Sequence, residues 1–160
     1  MTYLPNIYYT NNFYVSVSPM KSIEIKSTFS NDIDCLSLSN LFYSVGWGRR
    51  CPEKLARAFS QSNSCCFVYL NDKLIGCGRS IDDQEFYSLL VDIIVHPDHQ
   101  NQGIGSIILN KLTESLHDLP WVILSAEVGT EGFYKKNQFK KMKLAYMLQK
   151  RDGQEKYSYA

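Results

Sequence analysis

The stretch of this sequence richest in chemistry is 91–106, where an apolar strand gives way to a polar loop and then to a glycine-bearing helix start. Within it, Gln100-Asn101-Gln102-Gly103-Ile104-Gly105-Ser106 sets glycines at 103 and 105. Glycine there removes side chains where backbone amides face outward at a helix N-terminus. Orphan N–H groups and the helix dipole both favour an anion, so the loop is a cradle for phosphate. Three patterns compete for it. A dinucleotide site wants G-x-G-x-x-G after a first strand, but these glycines close the motif and come late in the chain. A P-loop wants Gly-Lys-Ser/Thr, and no lysine follows Gly105. The third pattern, Q/R-x-x-G-x-G between a strand and a helix, is met by Gln100, Gly103 and Gly105 without gaps.

Groups around this loop could move protons. Asp92 is the single carboxylate in the apolar run 89–95. Desolvation there would raise its pKa; as a structural acid it would instead be satisfied by backbone amides. Glu127 ends the next strand, and Tyr134 follows in a short helical stretch. His96, His99 and His117 have no ligand spacing, so no metal is expected. Cys35, Cys51, Cys65, Cys66 and Cys77 are odd in number and contain no C-x-x-C pair. They read as reduced thiols packed as small hydrophobes, Cys65 and Cys66 pointing to opposite faces of one strand.

These groups need a scaffold. Residues 22–28 alternate as a short strand. Ser30 or Asn31 can cap a helix carrying Ile33, Leu36, Leu41 and Phe42, ended by Gly46-Trp47-Gly48. Pro52 opens a second helix through Phe59. Strands follow over 64–70 and 74–80 around the turn Asn71-Asp72-Lys73, then over 86–95, whose unbroken apolar centre predicts burial on both faces. A helix is predicted over 103–119 with Ile104, Ile107, Ile108, Leu112 and Leu116 inward. A buried strand over 121–126, a short helix over 130–137, and strands around 143–149 and 155–158 complete one mixed α/β unit. Residues 1–20, uncharged and rich in tyrosine, form an N-terminal arm to a domain over 21–160.

Composition bounds the function. The chain has 160 residues, 44% of them hydrophobic, and a net charge of +1 from 17 basic and 16 acidic residues. That excludes a disordered or collagen-like chain and supplies no global field for nucleic acid or an anionic membrane. No apolar run is long enough to span a bilayer. With neither a basic signal start nor an Arg-rich transit segment, the chain reads as soluble and intracellular. Charge is nevertheless segregated: Asp82, Asp83, Glu85, Asp92 and Asp98 lie within 79–98 against Arg79, whereas 135–156 is strongly basic.

The loop at Gln100–Gly105, with Gly132-Phe133-Tyr134-Lys135-Lys136-Asn137-Gln138-Phe139 downstream, resembles the Gcn5-related N-acetyltransferase (GNAT) family. The second segment is similar to the family's F-Y-x-x-x-G-F signature, with Gln138 at the usual glycine. Leu41-Phe42-Tyr43-Ser44-Val45-Gly46-Trp47 and Gly76-Cys77-Gly78-Arg79 resemble a subgroup of bacteria, cyanobacteria and plastids. The resemblance covers roughly residues 22–150. It implies an α/β (α+β) domain: a mixed sheet of about six to seven strands with a splayed parallel pair, flanked by about four helices. It implies acetyl-CoA as cosubstrate, its pyrophosphate on Gln100, Asn101, Gln102, Gly103, Ile104, Gly105 and Ser106, and its pantetheine along Ile93, Ile94 and Val95 beside a bulge. Tyr134 matches the acid that protonates the departing thiolate. Glu127 stands where many relatives have asparagine.

Attack of an amine on a thioester needs a neutral amine, hence a base; Asp92 and Glu127 are the candidates, beside a water chain. The expected activity is transfer of acetyl to a primary amine, a small molecule or a protein amine, by direct attack in a ternary complex. The compartment is cytoplasm or plastid stroma, and the enzyme is a monomer or a homodimer. The rival is a non-enzymatic acyl-CoA sensor, against which Tyr134 counts. No nucleic-acid or membrane partner is expected.

Overall fold

Asn71 and Asp72 both take positive φ, 48° and 63°, as a two-residue hairpin turn requires if its twist is to match its strands. They join β2 (Ser64–Leu70) to β3 (Lys73–Asp82). The computed structural model describes residues 23–143. At the other end of β3, Asp83 Oδ1 accepts from the amides of Glu85, Phe86 and Tyr87 at 3.0, 2.7 and 2.9 Å, turning the chain into β4 (Tyr87–Val95). With β1 (Ile23–Lys26) before β2 and β5 (Trp121–Leu124) beside β4, the sheet has the order β1-β2-β3-β4-β5. All neighbours are antiparallel except β4 and β5. The mixed sheet thus has five strands among the described residues, fewer than the six to seven expected. The expected arm at 1–20 and strands around 143–149 and 155–158 lie outside those residues, apart from Lys143 itself.

Helices cover both faces. On one lie α1 (Cys35–Ser44) and α2 (Pro52–Ser60), packing Leu38, Leu41, Phe42, Leu55 and Phe59 on Cys65, Phe67, Cys77 and Ile94. On the other, α3 (Ile104–Thr113) packs Ile104, Ile108, Leu109 and Leu112 on Cys66, Val68 and Leu90. Cys65 and Cys66 therefore serve opposite cores, as strand alternation requires. Fully burying each such side chain contributes about 1.5–3 kcal/mol. Gly76 and Gly78 let α3 lie directly on β3: a Cβ at Gly78 would stand 2.7 Å from Ile108 Cγ2 and 3.0 Å from Leu112 Cδ1. No helix among the described residues is long and apolar enough to cross a membrane.

Several expectations are corrected. α1 is capped by Asp34, which accepts from Leu36 N at 2.9 Å and from Ser37 Oγ at 2.6 Å, and not by Ser30 or Asn31. Leu36 is exposed. The helix predicted over 103–119 ends at Thr113 and tightens into a 3₁₀ turn, Glu114–Leu116. β4 is not buried on both faces, since Tyr87 and Leu89 are 54% and 41% exposed; only its α3 side is covered near Ser88 and Leu90. β5 stops at Leu124, and Trp121 is exposed.

Candidate active site

β4 and β5 pair from Tyr87↔Trp121 to Leu90↔Leu124 and no further. β4 continues to Val95, so its edge over 91–95 has no strand partner on that side among the described residues. The same segment carries a bulge. Between Cys77↔Ile94 and Arg79↔Val91, β4 uses one residue more than β3, and Asp92 takes φ +55°. An extra residue kinks a strand and increases its twist, which parts β4 from β5 where the pairing ends.

Gln100 braces the end of the strand. Its Nε2 donates to Val95 O at 3.0 Å, and Gln102 Nε2 donates to Asp98 O at 3.2 Å. Asn101 turns the loop at φ +59°. Gly103 is the N-cap of α3 at φ +85°, a left-handed value glycine takes without a Cβ clash. A Cβ there would meet nothing within 4 Å, so the space before the helix is open. No side chain caps α3 among the described residues. The first-turn amides of Ile104, Gly105 and Ser106 therefore have neither a cap nor an intrahelical partner. A strand end without its neighbour, an open helix start and glycine in front of it fit an extended chain ending in a phosphate.

Gly105 has a second use. A Cβ on it would stand 2.9 Å from Phe133 Cζ. Phe133 belongs to α4 (Glu131–Lys136), so the glycine lets α4 seat against the first turn of α3. Tyr134 follows, edge-on to Phe133 at 5.0 Å and to Phe139 at 5.9 Å. Burial first, then the negative charge of Glu127, raises its pKa above the ordinary 10, so the phenol keeps its proton at neutral pH. Glu127 lies in the loop beyond β5, not at the strand end, and its carbonyl accepts from Thr130 Oγ1 at 2.6 Å.

Asp92, expected as either a desolvated acid or a structural one satisfied by backbone amides, instead faces a cation. Arg79 Nε donates to its Oδ2 at 2.6 Å, with side chains only 15% and 19% exposed. Sequence reasoning treated Arg79 as part of a resemblance and missed this pairing. The signal was present: Arg79 on β3 and Asp92 on β4 fall nearly opposite each other across the 83–86 turn. Phe133 was also missed as the partner of Gly105.

Trp47, Arg49 and Arg50 pack against α1. Trp47 is edge-on to Phe42, Arg49 lies over Tyr43 and Arg50 over Phe42. A cleft of about 470 Å³ between α1, β1 and the β2–β3 turn touches the phosphate-loop region only through His96. Burial pushes the thiols of Cys65 and Cys66 up to about 11 and that of Cys77 well above its ordinary value, leaving these three protonated and poor nucleophiles.

Residues 62–141 match the family model for the acetyltransferase (GNAT) domain. The uncharacterized N-acetyltransferase ycf52 of Pyropia yezoensis is 32% identical over 128 residues, 73% of this chain and 72% of that protein. A chloroplastic GCN5-related N-acetyltransferase 2 of Arabidopsis thaliana is 29% identical over 69% of this chain and 52% of its own. Among solved structures, a GNAT family acetyltransferase from Streptococcus pneumoniae superposes with a TM-score of 0.69 at 24% identity, over 82% of this chain and 99% of that one.

Proposed function

The chain belongs to the GNAT acetyltransferases, and on that footing we propose that it carries acetyl from acetyl-CoA to a primary amine by direct attack in a ternary complex. The observation that carries this reading is the parting of β4 from β5 beyond Leu90 and Leu124, next to the open start of α3. Backbone amides at Asn101, Gln102, Gly103, Ile104, Gly105 and Ser106 hold the pyrophosphate, and Gln100, whose own amide donates to Pro97 O at 3.3 Å, braces the loop. The edge of β4 at Ile93, Ile94 and Val95 takes the pantetheine arm as an added strand, directing the thioester toward the parting point.

Tyr134 is the general acid. Its raised pKa keeps it protonated, so it can give a proton to the CoA sulfur as the tetrahedral intermediate collapses. The first proton leaving the ammonium goes to Glu127, directly or through water, and the second, released from nitrogen as the intermediate collapses, restores the one Tyr134 gives to sulfur. Glu127's charge is felt by Tyr134, so base and acid would share one rim, whereas Asp92 Oδ2 is engaged by Arg79. The acceptor is a small or protein amine drawn by the acids of 82–98. The chloroplastic Arabidopsis relative supports a plastid setting.

The test is calorimetric binding of acetyl-CoA, followed by a CoA-release screen across amine classes with wild type and Tyr134→Phe. Tyr134→Phe keeps the ring and removes the proton. Binding should stay within a few-fold, while kcat falls by roughly 10²–10⁴. Binding without release for any amine would favour the sensor reading, and a Tyr134→Phe enzyme of wild-type kcat would remove the acid.

A further inference from the structure

We propose that Arg79 is a positioning residue for acetyl transfer: by clamping Asp92 at the bulge of β4, it sets the direction in which the edge over 91–95 leaves β5. This rests on the acetyl-CoA reading above, because that edge matters only if the pantetheine arm pairs with it.

The bulge needs holding. Asp92 is at φ +55°, a region that aspartate tolerates better than most residues but still adopts infrequently. Just beyond Leu90↔Leu124, β4 no longer has β5 to fix it, so its course depends on the β3 side. There Arg79 reaches three residues at once. Its Nε donates to Asp92 Oδ2 at 2.6 Å, and one terminal nitrogen donates to Ser62 Oγ at 3.2 Å. The guanidinium carbon lies 5.4 Å from the Phe59 ring centroid. Ser62 is itself oriented, its hydroxyl donating to Ala58 O in the last turn of α2 at 2.9 Å. The backbone of Asp92 is held too, its carbonyl accepting from Cys77 Sγ at 3.5 Å. The bulge is thus tied to β3 by side chain and main chain, and through Arg79 to the end of α2.

A planar fork suits this work, and a lysine could not span the same contacts. The arrangement also separates positioning from proton transfer. A carboxylate that serves as base would be destroyed functionally by the amide, whereas a carboxylate that serves as an anchor needs only an oxygen for Arg79. Asparagine supplies that oxygen and is equally at ease at positive φ.

The experiment uses the full chain with acetyl-CoA as the probe, and compares Arg79→Met, Arg79→Lys, Asp92→Asn and the double variant Arg79→Met/Asp92→Asn. Binding is read by calorimetry, kcat and KM by CoA release against pH, and folding by thermal melting. Arg79→Met should weaken acetyl-CoA at least tenfold in Kd and KM without moving the pH profile, and Arg79→Lys should recover only part of the loss. Asp92→Asn should cost less than tenfold in kcat/KM, again with the profile unmoved. The double variant orphans no charge. It should melt closer to wild type than Arg79→Met yet bind acetyl-CoA as weakly, so it decides the matter even if Arg79→Met fails to fold. Wild-type acetyl-CoA affinity in folded Arg79→Met or in the double variant would overturn the proposal. So would a loss of 10² or more in Asp92→Asn with activity displaced toward alkaline pH, which would make Asp92 a base. A wild-type protein that binds no acetyl-CoA would overturn the underlying reading, and this one with it.

Discussion

Replacing Gly105 by alanine should slow the reaction as well as loosen the fold. The new Cβ would lie 2.9 Å from Phe133 Cζ and 3.2 Å from Cε2, against about 3.5–4.0 Å for a comfortable carbon–carbon contact. The ring must therefore retreat by roughly 0.5–1 Å. α3 cannot supply that movement, because Ile108 and Leu112 hold it against Gly76 and Gly78. α4 can: it is six residues long, has no fully buried residue and lacks a side-chain cap hydrogen bond at Thr130. Overpacking costs about 1–3 kcal/mol, partly offset by the roughly 0.5–1 kcal/mol that alanine gains over glycine inside a helix. The net loss of stability is then at most about 2.5 kcal/mol. Tyr134 moves with Phe133, and a misplacement of about 1 Å can lower a rate by on the order of 10². The assay is kcat by CoA release at saturating acetyl-CoA, beside a thermal melt. Gly105→Ala/Phe133→Leu removes the opposing ring atoms and should return at least tenfold of the lost kcat. A Gly105→Ala enzyme with wild-type kcat, or a double variant no faster than the single, would refute the coupling of Gly105 to Tyr134.

Asp34→Ala should lower stability by about 1 kcal/mol, the usual cost of losing an N-cap, whereas Ser30→Ala and Asn31→Ala should each change the urea midpoint much less. The buried thiols give an alkaline signature. Cys65 and Cys66 are raised from 9.0 to about 11 in the fold by burial, so the stability they confer is complete below pH 9 and is lost as pH rises toward 11. Each thiol accounts for up to about 3 kcal/mol across that window. Urea titrations from pH 8 to 11 should show the decline, and Cys66→Ala, less stable at pH 8, should show a shallower one; a slope unchanged in Cys66→Ala would show that its thiol is not responsible.

What the sequence revealed and what it hid follow one physical line. Local chemistry was legible: Asn71-Asp72 makes its turn, Pro52 opens α2, and glycine at 103 begins α3. Faces were not. The run from Leu89 to Val95 looks doubly buried because every residue but one is apolar, yet hydrophobicity does not say whether a second layer arrives, and Leu89 is left exposed. The cap of α1 went to Asp34 and not to Ser30 or Asn31 because the chain makes another turn first, with Ile33 N donating to Ser30 O. The Arg79–Asp92 pair was readable in principle. Counting outward from the 83–86 turn brings the two close together, and the bulge completes the match. What hid it is that desolvation and backbone amides each account for an acid inside an apolar strand without calling on a cation.

Two different kinds of contact therefore locate the candidate site from its two sides. On the α3 side the contacts are steric. Gly76 and Gly78 set the distance from β3 to α3, and Gly105 sets the distance from α3 to α4 and hence to Tyr134. On the α2 side the contacts are polar, running from Ala58 O through Ser62 and Arg79 to Asp92 on β4. Steric spacing resists compression and is insensitive to salt, whereas a mostly buried ion pair is screened less than a surface one but still depends on charge. The acid and the strand edge are thus held by mechanisms that fail under different perturbations. A methyl group at Gly105 should displace the acid while leaving β4 in place. Loss of the guanidinium at Arg79 should redirect β4 while leaving the acid where it is. On the mechanism proposed above, catalysis needs both ends in register, because a proton from Tyr134 would have to reach a sulfur whose position β4 sets. Either change should then lower kcat/KM, the first mainly through kcat and the second mainly through the binding of acetyl-CoA.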